Sequence, residues 1–252
     1  MGTKFKILTS QIWEITELKI VQRIVMASLL FTGVAACSKD GTLKEPDKLN
    51  PLENPQGNLL GSLEEIENFY TIEFVDAMME MDFNFNLGNT PPNLEGSFLI
   101  SPFILEDSTV EADSVLIGAQ FQDYLATFSN QDNSNLSIDL HGTQASQTDT
   151  GSGSFITGSN VSFTIYAKTI SFQGTSSATT AVAISGTRSP NGIINTQFFG
   201  GMIDNNGNPQ GLWIENNTGR LIIDGDGFSL QQNLGSKSKG HIDLLNWIKK
   251  LE

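Results

Sequence analysis

The sequence predicts a mainly β protein, and three observations carry the prediction. Apolar and polar residues alternate in run after run between residues 94 and 224. Asn, Asp, Gly and Pro punctuate those runs at short intervals. The composition sets 16 Phe among 24 Gly, the mixture expected of strands joined by tight turns. Alternation at period two buries one side of a strand and wets the other, as in antiparallel sheet. Roughly eight to ten such strands favour an up-and-down meander closed into an antiparallel β-barrel, because closure removes exposed edges. A jelly-roll β-sandwich is the alternative.

The chain opens differently. Residues 24–36 are apolar or small and follow Lys19 and Arg23. A basic segment, a short apolar segment and a small-residue cut make a secretory signal. Thr32 and Gly33 interrupt the run well short of the about 20 apolar residues a membrane span needs. The stretch Val34-Ala35-Ala36-Cys37 resembles the lipobox of bacterial lipoproteins, in which the cysteine receives diacylglycerol and becomes the new N-terminus. The resemblance implies a signal peptide over 1–36, lipidation of Cys37 and a membrane tether. It also implies the outer membrane of the cell envelope, because Ser38 stands where the family's inner-membrane retention signal places Asp. Glu14 and Glu17 are out of place in a basic leader, and a start at Leu18 would give an ordinary short one. Peptides from residues 1–17 in the precursor would exclude that start.

Cys37 is the only cysteine, so the folded part has no disulfide, thiolate metal site or cysteine nucleophile. The formal net charge is −14, and removing residues 1–36 takes away four basic and two acidic residues, giving −16. No Lys or Arg lies between Lys48 and Lys168. Nucleic acid is therefore excluded as a partner, since phosphate binding needs clustered cations.

Residues 37–61 read as a lipidated linker, with Pro46, Pro51 and Pro55 and no periodicity. A single domain follows over 62–252. Residues 62–82 predict one helix. Ser62 and Glu65 form a capping box, and Leu63, Ile66, Phe69, Tyr70, Phe74, Ala77, Met78 and Met81 recur at helical spacing. This stripe packs on the core or, alternatively, holds a partner. Strands are predicted over 94–105, 114–118, 121–129, 136–142, 153–157, 161–170, 179–186, 192–203, 211–215 and 220–224. Residues 143–154 read as a long polar loop. A short C-terminal helix is predicted over 242–251, after a Gly-Ser-Lys joint at 235–240. Glu95-Gly96-Ser97-Phe98, opening the first strand after a helix, resembles the start of lipocalin-like proteins, with Phe98 where they carry Trp. That resemblance implies a barrel with an interior ligand site.

No catalytic pattern is present. The only histidines, His141 and His241, read as surface residues, and no Ser/His/Asp or G-x-S-x-G arrangement occurs. Glycoside hydrolysis needs a placed carboxylate pair, which the turn-flanking acids do not supply. Two acidic loops carry oxygen ligands suited to calcium: Asp204 with Asn206, and Asp224 with Asp226. Plain β-turns favour the same residues. No other cofactor is implied. The aromatic residues suggest a small hydrophobic or amphiphilic ligand inside the barrel, with Phe98, Phe128, Phe163 and Phe199 as pocket residues. The same rings could simply fill the core. Tyr166 and Trp213 could instead form an exposed platform for a glycan.

Overall fold

The computed structural model describes residues 60–232, without the side chains of Ser152 and Gly153. The leader at 1–36, Cys37, the linker through residue 59 and the helix expected over 242–251 lie outside the described residues.

Two short helices come first, α1 (Leu63–Phe69) and α2 (Ile72–Glu80). Both halves of the expected capping box are present: Ser62 Oγ accepts from Glu65 N–H, and the Glu65 carboxylate accepts from Ser62 N–H. The single helix expected over 62–82 is broken at Tyr70 and Thr71, where Thr71 is fully extended. The break turns the Tyr70 side chain into the sheet.

The strands are β1 (Asn89–Thr90), β2 (Gly96–Ile100), β3 (Phe103–Ser108), β4 (Gln120–Phe121), β5 (Tyr124–Asp132) and β6 (Ser137–Gln144). They continue with β7 (Gln147–Ser159), β8 (Ser162–Gln173), β9 (Ser176–Ser189), β10 (Gly192–Asp204), β11 (Gly219–Asp224) and β12 (Phe228–Gln232). From β5 to β10 each strand pairs antiparallel with the next. The start of β10 pairs with β12, β12 with β2 and β2 with β5, so the strands form a ring. The later part of β10 pairs instead with β11, which continues the sheet to β3 and β4. The change of partner falls at a register shift between Ile194 and Gln197, where Asn195 has φ +53°. Such a bulge bends a strand and increases its twist.

Alternation gives the sheet two apolar faces. The inner cluster includes Phe98, Phe128, Phe163, Ile165, Ile184 and Ile222. The outer cluster joins Tyr166, Ala183, Phe199 and Leu221 of the sheet to Ile66, Phe74 and Met78 of the helices. The helical stripe is thus packed on the outside of the ring. Gly201 makes the fit possible, since a Cβ there would lie 2.6 Å from the Phe74 ring.

The strand expected over 94–105 is two, β2 and β3, which pair with different neighbours, and four further expectations need correction. Residues 114–118 are not a strand: a 3-10 helix spans Glu111–Val115, and Val115 is 86% exposed, so the apolar Val-Leu-Ile run marks no buried face. Residues 211–215 are irregular, held by Asn side chains instead of a ladder. Residues 143–154 are not a loop but the β6–β7 hairpin, turning at Ala145 and Ser146. β12, missing from the sequence prediction, is the strand that closes the ring.

Candidate functional site

Along β8 the inward residues run Phe163, Ile165, Ala167, Thr169 and Ser171, so the interior changes from bulky and apolar to small and polar. Thr180 of β9 continues the polar end, hydrogen-bonded to the hydroxyls of Thr169 (2.6 Å) and Ser171 (3.0 Å). Small side chains leave room there. A cavity of about 140 Å³ opens at this end of the ring. Phe103, Phe121, Tyr124, Phe198 and Trp213 supply its aromatic walls. Gln144, Gln147, Asp149 and Arg220 supply its polar ones.

Each wall is held in place. Phe103, Tyr124 and Phe198 pack as a trio with ring centroids 4.8–5.7 Å apart. The Tyr124 hydroxyl donates to Asp149 Oδ2 at 3.0 Å, and Gln147 Nε2 donates to Asp149 Oδ1 at 2.9 Å. Burial and the neighbouring Asp149 charge push the Tyr124 phenol well above its ordinary range. Gly142 makes this reach possible, because a Cβ there would overlap the Tyr124 hydroxyl. Trp213 is pinned by its backbone N–H to Asn208 Oδ1 (3.0 Å) and by Nε1–H to Ser176 Oγ (2.9 Å).

Arg220 is already satisfied. It donates from Nε and Nη2 to the two oxygens of Asp113, at 2.6 and 2.9 Å, and its guanidinium lies over Phe121. The Arg220 hydrogen bond holds the Asp113 carboxyl below its usual range. Asp149 is different. It is 2% exposed, and the three basic residues among those described are all engaged elsewhere. Lys168 lies over Phe69, Arg188 over Phe98, and Arg220 is held by Asp113.

The residues singled out from sequence fall mostly elsewhere. Phe98, Phe128 and Phe163 are fully buried in the inner cluster and do not line this cavity. Phe199 points to the opposite face, edge-on to Phe74 at 6.2 Å. Tyr166 is also fully buried on that face, which removes it from any exposed platform. The two acidic loops are turns in which carboxylate oxygens hydrogen-bond to neighbouring groups of the chain. Asp204 Oδ1 accepts from Asn206 N–H (2.9 Å) and Asp226 Oδ1 from Phe228 N–H (2.8 Å). Asp224 Oδ2 accepts from Ser229 Oγ (2.6 Å). No group of three or more His, Cys, Asp or Glu able to hold a metal occurs among the described residues. Cys37 lies outside them.

Asp149, Gln147 and Gln144 were hidden in the stretch expected to be a loop. Their signal was alternation of another kind: Gln147 and Asp149 turn inward while Thr148 and Thr150 are exposed. No protein-family model, curated protein or solved structure matches this chain.

Proposed function

We propose that this chain is a lipid-anchored protein of the bacterial outer membrane, and that its ring of strands is a lipocalin-like barrel binding one small amphiphilic ligand without catalysis. The anchor rests on the lipobox residues ending at Cys37. The binding function rests on one observation: the strand interior, packed around Phe163, opens at its other end into a cavity of about 140 Å³ that joins aromatic walls to a few fixed polar groups. That combination is the usual make-up of a small-molecule site. A cavity of about 150 Å³ accommodates a single benzene-sized ring, so the ligand, or its buried part, is small.

The test is native mass spectrometry of the full-length gene product purified from its own membrane fraction. The expected result is a chain beginning at a diacylated Cys37, carrying one small molecule. Val182 lies on the cavity wall, and a Val182→Phe chain should arrive bare. A bare wild-type chain, or equal occupancy of the variant, would refute the binding site. An unmodified Cys37 would refute the anchor.

A further inference from the structure

Resting on the cavity reading above, we infer that the ligand is a small organic cation, a primary ammonium carried on one ring or a short apolar chain. Charge sets the class of ligand. Among the described residues Asp149 is the cavity's only carboxylate, it is 2% exposed, and the hydrogen bonds it accepts there come from the neutral donors Tyr124 and Gln147. Buried carboxylates are normally paired with a cation, since neutral donors offset only part of the lost hydration. Among the described residues no basic side chain pairs with it.

Arg220 shares the cavity but does not supply the missing charge. Asp113 holds it bidentately through Nε and Nη2, so that pair adds nothing net. Among the described residues nothing else in the cavity offsets the Asp149 carboxylate. Its aromatic rings are the other half of ammonium recognition, because a cation is attracted to the quadrupole of Trp, Tyr and Phe. The chain's net charge of −14 acts in the same direction, drawing cations toward the protein and repelling anions. A carboxylate or phosphate ligand would meet Asp149 unfavourably, and a neutral ligand would leave its charge unanswered.

The experiment is calorimetric titration of the full chain with benzylammonium, and with benzyl alcohol and benzoate as neutral and anionic probes of similar size. Asp149→Asn is the variant. Its carboxamide oxygen still accepts from Tyr124, and the Gln147 amide can turn to accept from the new NH₂ group, so the walls remain. The expected result is benzylammonium binding about tenfold or more tighter than benzyl alcohol, with benzoate not binding. Asp149→Asn should abolish that preference, a loss of about tenfold in benzylammonium affinity relative to benzyl alcohol. An unchanged β circular-dichroism signal and Tm show that the variant is folded. Equal binding of the cation and the alcohol, or a preference that survives Asp149→Asn, overturns the cation assignment and leaves the cavity reading standing. Failure of every probe to bind also overturns it; the cavity reading then stands or falls on the mass of the membrane-derived chain.

Discussion

Tyr70 and Tyr166 lie with ring centroids 6.1 Å apart in the outer cluster, and removing the hydroxyl from each should have opposite effects. Tyr70 Oη reaches the junction of β8 and β9, accepting from Ala167 N–H at 2.8 Å and donating to the Val182 carbonyl. Tyr70→Phe removes both of these bonds from a buried site. A buried hydrogen bond contributes about 0.5–1.5 kcal/mol net, so about 2 kcal/mol is the expected loss for the two. In a domain of this size each kcal/mol moves Tm by about 2–4 °C, so Tm should fall by about 4–8 °C. The Tyr166 hydroxyl is buried without a hydrogen-bond partner. The Thr157 and Thr164 hydroxyls beside it donate to the Asn86 and Asn84 carbonyls. Tyr166→Phe therefore removes a desolvated group that nothing repays, and Tm should hold or rise. Thermal and urea unfolding of the full chain measure both. Equal destabilisation by the two substitutions, or the larger loss at Tyr166, would refute this account of how the helices lock onto the ring.

Alkaline pH supplies a second prediction. Burial raises the phenols of Tyr70, Tyr124 and Tyr166, the only tyrosines in the chain. Phenols raised in the folded state contribute stability in full below pH about 10, lost as pH climbs past that unfolded value. Phenolate absorbance should rise only together with loss of the β circular-dichroism signal; tyrosinate forming near pH 10 in folded protein would contradict the burial. Phe163→Ala should cost about 3–5 kcal/mol in urea unfolding while leaving ligand affinity of the folded protein nearly unchanged, and a selective loss of affinity would return the site to the Phe163 end. EDTA should leave Tm where it is, because Asp204 and Asp226 each hold a turn N–H, Asp224 holds Ser229, and no group of three metal-ligating residues occurs among the described residues; a fall in Tm would reinstate a metal.

The β class, the antiparallel order and the capping box were legible because each has a short-range cause. Val161, Phe163 and Ile165 alternate with Ser162 and Thr164, and Ser62 lies three residues before Glu65. The site was not legible, for a physical reason. Sequence patterns mark a buried face by its apolar residues, and this ring turns polar inside at one end. Gln147 and Asp149 therefore read as loop, while Phe163 drew attention to the filled end. Phe199 shows the other failure: next to Phe198 in sequence, it faces the helices while Phe198 faces the cavity. The break at Tyr70 was invisible because the contacts of its hydroxyl lie about a hundred residues away, at Ala167 and Val182.

Trp213 emission reports directly on whether the cavity between Tyr124, Asp149 and Trp213 is the ligand site. The full chain carries three tryptophans, and Trp13→Phe with Trp247→Phe leaves Trp213 alone to report. Titrating that chain with benzylammonium should change Trp213 emission in a curve that saturates at one equivalent. An emission spectrum that stays unchanged while calorimetry shows the probe binding would put the ligand elsewhere and contradict this placement of the site.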